Sequence, residues 1–350
     1  MKFYLRIIKI FFINCIQIYF KRKKINYTSK KDKIFVMLSA NYNNLGDIAI
    51  TLSQKQYLED KYGSHYEIIE IPVEDTYKCY LDMKKNITDN SIITLIGGGN
   101  DGSLYDFIEE PRLFILKKFN DYKIISFPQS VMFENTQSGN YYLKKYRLLA
   151  SKCDNYTIVA REKKSYDRYL SYNINSKLLL VPDIVFYFDR GNSNDRDGIC
   201  IIMRDDKEKS INANFQASIL RYLKENEFKY DIKDTCSISI NNNREEVLNS
   251  YCQNLSTKKL VITDRLHGMI LSYVTNTPCI VFNNNNDKIK STYETWLTKQ
   301  NLIYLVETES LEEIKKIINK INDNKKNDRM DLKDCYRDLE QAIQGDGKNE

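Results

Sequence analysis

His267 is one of only two histidines in the chain. It stands in Ile262–Thr–Asp–Arg–Leu–His–Gly–Met–Ile270, where Asp264, Arg265 and His267 bring an acid, a fixed cation and an imidazole within four residues. An imidazole titrates near neutral pH and can give or take a proton, and a neighbouring guanidinium suits it to an anionic substrate. The apolar run Lys259–Thr263 reads as a strand, and Leu266–Val274 has helical spacing. The group therefore sits at the carboxyl end of a strand, over the start of a helix, where open α/β sheets bind their ligands. A buried histidine that satisfies one hydrogen bond is the plainer alternative. The other histidine, His65, lies in a polar stretch.

Other strand ends carry similar punctuation. Asn41–Tyr–Asn–Asn–Leu–Gly46–Asp47 closes a first strand and opens a helix. Glycine there lets backbone approach a ligand, and a helix amino terminus favours an anion, although Asp47 also suits a cap. Gly97, Gly98, Gly99 and Asn100 follow the strand Ile92–Ile96 and read as a cradle of exposed N–H groups, or equally as a tight turn. They match neither a Walker loop nor GxGxxG. Gln129 and Ser130 end another strand, as do Arg161 and Asp183. Arg161, Arg265, His267 and Lys288 together would line a cleft suited to a small polyanion. The residue types show no metal-ligand cluster.

These side chains need a scaffold, and the pattern supplies alternating strands and helices. Strands are expected at Lys33–Ser39, Tyr66–Pro72, Ile92–Ile96, Lys123–Phe127, Tyr156–Ala160 and Lys177–Val181, with helices at Asp47–Tyr62 and Tyr141–Ser151. The polar stretch Asp189–Gly198 reads as a linker. A second series follows: a strand at Gly198–Met203, helices near 211–225 and 244–255, and strands at 259–263 and 279–282. Ser310–Leu–Glu–Glu313 is a capping box opening a helix, and 328–344 is helical. Such βα repeats imply largely parallel sheets and an α/β fold with a cleft between two halves. The expected organisation is an amino-terminal helix over 1–30, one domain over 31–190, a second over 191–325 and a helical tail over 326–350.

With 350 residues the chain has room for two domains, and 42% hydrophobic residues fit a globular protein. Eight scattered cysteines form no CxxC pair, as in a reduced, cytoplasmic protein. The net charge of +6 is local. Residues 1–30 carry eight basic residues and no acid, so the remainder is slightly acidic. That argues against nucleic-acid binding. Residues 1–24 are amphipathic as a helix, with Lys2, Arg6, Lys9 and Gln17 as a polar stripe and Lys21–Arg–Lys–Lys24 behind. Arg6 and Lys9 leave too short an apolar run for a comfortable span, and no small-residue cleavage site follows. The expectation is a helix lying on an anionic membrane surface, peripheral on the inner face of the cell membrane. The alternative is a helix packed on the protein itself.

Taken in order, Asn44–Leu–Gly–Asp47, Gly97–Gly–Gly–Asn100, Pro128–Gln–Ser130, Arg161–Glu–Lys–Lys–Ser–Tyr166, Pro182–Asp183, Thr263–Asp–Arg–Leu–His–Gly268 and Asp287–Lys288 with Tyr293–Glu–Thr–Trp296 resemble the polysaccharide pyruvyl transferase family over roughly residues 36–300. The nearest likeness is to members of bacterial exopolysaccharide synthesis. The resemblance implies two Rossmann-like domains with a central cleft, similar to B-type glycosyltransferases. It implies transfer of pyruvate from phosphoenolpyruvate, the donor substrate, to a sugar of an exopolysaccharide or its lipid-linked repeat unit, as a cyclic ketal. No other cofactor is implied. Arg161, His267 and Lys288 match positions that bind or activate the donor. Asn44, Gly46, Asp47, the glycine run, Gln129, Ser130, Asp264 and Arg265 would contact substrate. Two departures stand out: Phe282–Asn–Asn–Asn–Asn–Asp–Lys288 lacks the glycine usual before that lysine, and Gly102 is followed by Ser103 where the family often has aspartate. The competing reading is a nucleotide-sugar-dependent glycosyltransferase on the same scaffold.

Overall fold

The computed structural model describes residues 2–191, 193, 195–204, 211–233, 243–323 and 329–345. Cys236, parts of the expected linker (Asn192, Asn194) and parts of the tail (326–328, 346–350) lie outside them.

Two parallel sheets form two Rossmann-like lobes. The first contains β1 (Asp32–Ser39), β2 (Tyr66–Pro72), β3 (Ile92–Leu95), β4 (Gly98–Gly102), β5 (Lys123–Met132), β6 (Tyr156–Ala160) and β7 (Lys177–Leu180), in the order β2-β1-β3-β5-β6-β7 with β4 beside β5. The second contains β8 (Ile199–Ile202), β9 (Tyr230–Ile232), β10 (Leu260–Thr263), β11 (Cys279–Phe282) and β12 (Ile303–Val306), in the order β12-β11-β10-β8-β9. The central strands β1, β3, β8, β10 and β11 are apolar almost throughout because helices cover both faces. The helices are α1 (Lys2–Phe20), α2 (Leu45–Tyr62), α3 (Thr76–Asn86), α4 (Asp106–Lys118), α5 (Gln137–Ala150), α6 (Lys163–Ser171), α7 (Ala213–Glu225), α8 (Arg244–Ser256), α9 (Leu266–Val274), α10 (Lys288–Trp296), α11 (Leu311–Asp323) and α12 (Arg337–Gln344).

Most expected elements are present, with shifted ends. The glycine run is the clearest correction. Gly97 and Gly98 are not an exposed cradle: Gly98–Gly102 is a strand along β5. Glycine is needed there for close approach. A Cβ on Gly97 would lie 2.7 Å from the Pro128 carbonyl oxygen, and Gly98 and Gly102 have φ of +115° and +126°, which side chains rarely adopt. β5 also runs past Phe127 to Met132, carrying Gln129 and Ser130 inside the sheet. The tail is a short 3-10 turn, Lys333–Tyr336, leading into α12.

The lobes share one core. Cys200, Val261, Met269 and Val281 of the second lobe join the cluster built on the first, while α7 and α11 cover the far face of the second sheet through Phe215, Ile219, Ile314 and Ile318. Arg190 and Arg196 of the connecting segment are tied down. Arg190 Nη2 donates to Ser53 Oγ of α2 (2.9 Å). Arg196 donates to Thr277 Oγ1 (2.9 Å) and to the carbonyls of Lys258, Thr275 and Asn276. After the second lobe the chain returns to the first, where Lys61 pairs with Glu340 and the Tyr336 ring meets Tyr57 and Tyr187.

Arg196→Ala strands several half-buried carbonyls at once. Its cost should be about 2–4 kcal/mol, the range for charge-assisted bonds lost together, measured by urea unfolding. A change below about 0.5 kcal/mol, the level of an ordinary surface substitution, would show that the connecting segment holds without it.

Candidate active site

A cleft of about 220 Å³ opens between the carboxyl ends of the two sheets. Among the described residues, three helices point their amino termini into it. Asn44 caps α2, its side chain accepting from the N–H groups of Gly46 (3.0 Å) and Asp47 (3.3 Å). His267 lies in the first turn of α9, and Lys288 is the first residue of α10. Aligned peptide dipoles give each terminus a partial positive charge, so the cleft is built for an anion before any side chain is counted.

The local chain explains the tight geometry around His267. Thr263 Oγ1 donates to the Ile202 carbonyl (2.7 Å) and accepts from Arg265 N (3.0 Å). A Cβ on Gly268 would lie 2.4 Å from that hydroxyl, so glycine lets α9 follow β10 closely. Across the cleft, a Cβ on Gly46 would lie 2.4 Å from His267 Nδ1. The imidazole of the second lobe therefore rests against bare backbone of the first.

Arg161 lies behind the imidazole, only 2% exposed. Its Nη1 donates to Asp183 Oδ2 (2.7 Å) and its Nε to Ser130 Oγ (2.7 Å). Ser130 in turn donates to Glu162 Oε2 (2.9 Å), and the other carboxylate oxygen, Oε1, accepts from Ser165 Oγ. Asp183 Oδ2 stands 3.8 Å from His267 Nε2, and that nitrogen has no hydrogen-bond partner among the described residues. Gly99 sits between two cations: a Cβ there would lie 3.1 Å from both Arg161 Nη2 and Lys288 Nζ. Lys288 reaches the cleft despite the missing glycine before it.

Burial holds the His267 pKa down at about 4. Asp183 opposes that shift, and Arg161 and Lys288 reinforce it. The resting imidazole is thus neutral at neutral pH. Burial pushes the other way on Asp47, raising its carboxyl pKa against the pull of the Tyr42 hydroxyl, Arg161 and Lys288. Tyr42 OH donates to Asp47 Oδ2 (3.1 Å). Two titratable groups whose surroundings favour their uncharged forms face one cleft, a pattern found where protons are transferred.

The structure brings together Asn44, Gly46, Asp47, Gly99, Asn100, Arg161, Arg265, His267 and Lys288. It leaves five expected contacts away from the opening. Gly97 and Gly98 are absorbed in strand packing. Gln129 is fully buried, its Nε2 donating to the Ile96 carbonyl (2.8 Å) and Ser126 Oγ (2.7 Å). Asp264 is also buried, its Oδ1 accepting from Arg204 N (2.8 Å). Ser130 acts through Arg161. Asn100 faces the cleft while its Oδ1 accepts from the fully buried Arg112 (2.8 Å).

Arg204, Asn284, Tyr42, Tyr105 and Phe107 line the cleft without having been singled out. Arg204 and Asn284 stand two residues after β8 and β11, so the strand-end rule that found Arg161 also reaches them. The aromatic residues carry no such signal. Asp183, noted only as a strand-end turn, proves to be the carboxylate shared by Arg161 and His267.

The profile of the family described as polysaccharide pyruvyl transferase matches residues 44–286. General stress protein 30 of Bacillus subtilis is 34% identical over 316 residues, covering 88% of this chain and 90% of its own. Pyruvyl transferase 1 of Schizosaccharomyces pombe is 26% identical over 78% of this chain and 71% of its own. Among solved structures, the UDP-GlcNAc 2-epimerase of Neisseria meningitidis superposes with a TM-score of 0.50 at 10% identity, covering 89% of this chain and 98% of that one. That likeness is one of fold, in the class of two-lobed B-type glycosyltransferases and epimerases.

Two outcomes test this geometry. Folding disfavours protonated His267, so its contribution to stability is complete above the unfolded value of 6.5 and is lost as pH falls toward about 4. Urea unfolding at pH 7 and pH 5 should show a drop that is smaller in His267→Gln; equal drops would contradict a buried neutral imidazole. Gly46→Ala should cost about 1–3 kcal/mol through overpacking, and much less in a His267→Ala background. Additive costs in that double-mutant cycle would mean the two residues do not touch.

Proposed function

The chain belongs to the polysaccharide pyruvyl transferase family, and from that premise we propose that it moves the pyruvyl group of phosphoenolpyruvate onto two hydroxyls of a saccharide, closing a cyclic ketal. The observation that carries this reading is the concentration of Arg161, Arg204, Arg265 and Lys288 around one imidazole, over three helix amino termini. Phosphoenolpyruvate bears its carboxylate and its phosphate on one carbon, C2. A cleft of this size and charge suits such a dianionic head far better than a neutral sugar.

The reaction adds one proton at C3 of the enol phosphate, leaving an oxocarbenium centre at C2. A sugar oxygen bonds to C2, the C2–O bond to phosphate breaks with its electron pair going to phosphate, and a second sugar oxygen closes the ring. Of the two hydroxyl protons released, one balances the proton given to C3 and the other leaves with phosphate. Asp47, with its raised carboxyl pKa, is suited to hold the proton for C3. Neutral His267 is suited to take a hydroxyl proton, and Asp183 at 3.8 Å would stabilise the imidazolium that forms. Lys288 and Arg161, either side of Gly99, would meet the developing phosphate charge.

The test is calorimetric titration with phosphoenolpyruvate beside a panel of nucleotide sugars. Saturable binding of phosphoenolpyruvate is expected. Lys288→Ala should weaken it about tenfold or more, the scale of one lost charge-assisted contact. His267→Ala should bind the donor yet fail to release phosphate with an acceptor present. Binding of a nucleotide sugar in place of phosphoenolpyruvate would move the chain to the glycosyltransferases, and undiminished turnover in His267→Ala would remove the imidazole from the chemistry.

A further inference from the structure

We infer that the solvent face of α1, together with the aromatic lip of the cleft at Leu104–Phe107, forms a single docking surface for an anionic lipid bilayer. α1 is anchored on one side only. Ile18 is buried, and Ile7 packs on the first lobe beside α3 and α4. On the other side, Leu5, Ile8, Phe12, Ile16 and Tyr19 follow one another at spacings of three or four, a single stripe along the helix. All five are exposed, Phe12 to 62%. No helix among the described residues is long and apolar enough to cross a membrane.

The stripe continues toward the active site. Arg6 pairs with Asp106, the first residue of α4. That ion pair sets the amino-terminal half of α1 beside Leu104, Tyr105 and Phe107, all exposed, the last to 54%. Tyr105 and Phe107 line the cleft, and Phe107 meets Tyr42 edge to face at 6.2 Å. Among the described residues sixteen large apolar side chains are exposed; eight are on α1 and three are at this lip. A soluble surface rarely gathers its apolar groups in this way.

Charge selects the occupant. Lys9, Lys21, Arg22 and Lys24 are exposed on or just after α1, and Lys117 and Lys118 flank the groove between α1 and α4. Of the nearby acids, Asp106 is engaged by Arg6 and Asp75 by Lys23 and Lys78. An apolar stripe bordered by unneutralised cations fits lipid chains below anionic headgroups. Between two copies of the chain, the same cations would face each other. The docking stands on this surface alone. Its consequence, that the cleft mouth lies at the lipid interface and takes a saccharide carried on a lipid, rests on the pyruvyl-transfer reading.

The test is flotation of the full chain with vesicles of phosphatidylcholine alone or mixed with phosphatidylglycerol. The expected result is flotation with the anionic vesicles, weakened by added salt, and little with the neutral ones. Leu5→Glu/Phe12→Glu/Ile16→Glu should reduce it about tenfold or more, and Lys21→Gln/Lys24→Gln about tenfold, given the usual contribution of a basic residue near an anionic surface. Both variants should keep the wild-type circular dichroism spectrum and the wild-type response to phosphoenolpyruvate. Equal flotation of wild type and the triple variant would overturn the inference. So would an absence of flotation, or a wild-type dimer in light scattering that the triple variant breaks, which would give the stripe to a second copy. Vesicle binding is read without donor or acceptor, so failure of the pyruvyl-transfer reading would leave it unchanged.

Discussion

The buried pair between Arg161 and Asp183 is the constraint on which the cleft depends. A guanidinium that is almost wholly out of water is costly unless every donor is met and a countercharge lies close. Here Asp183 supplies the charge at 2.7 Å and Ser130 meets Nε. Distant parts of the chain then hold the two backbones. Trp296 Nε1 of α10 donates to the Arg161 carbonyl (2.7 Å), and Tyr336 OH of the tail donates to the Asp183 carbonyl (2.6 Å). The second lobe and the tail thus meet the first lobe at the two residues that sit behind the imidazole.

That arrangement accounts for the state of His267. Its ring is pressed on Gly46, largely shielded from water at the cleft wall, and faced by Arg161 and Lys288 as well as Asp183. Burial and two cations outweigh one carboxylate, so the ring rests uncharged. The same positive surroundings attract anions, and a bound anion would oppose the cations that hold the pKa down. The tendency to bind an anion and the poise of the imidazole therefore have one electrostatic origin.

A second buried network has a different role. Arg112, Asp101 and Glu109 lie together without exposure, and burial and the neighbouring Asp101 raise the Glu109 carboxyl pKa to about 8. Tyr146 and Asn100 close the group. Only Asn100 reaches the cleft. The network fixes β4 and its glycines against α4, and so fixes the lip formed by Tyr105 and Phe107.

Much of this was legible in the residues alone. Period-two and apolar-run patterns located the main strands of both sheets, because a strand covered on both faces must be apolar. The strand-end rule found Arg161, Arg265 and His267, because parallel sheets leave their carboxyl edges open. The motifs carried the family. Local pattern did not separate residues that face the cleft from those that serve the scaffold. Gln129 and Gly97 have the composition of binding residues, yet the first satisfies a carbonyl inside the sheet and the second makes room for Pro128. Lys288 lies far along the chain from Gly99, and only the apposition of the lobes puts its ammonium beside Arg161. The reach of Asp183 to both Arg161 and His267 was equally hidden, because such contacts are distances between elements and no periodicity records them. Sequence alone determined which chemistry was available and on which edges of the sheets it lay; tertiary packing decided which of those groups share one volume of space, and hence which charges they feel.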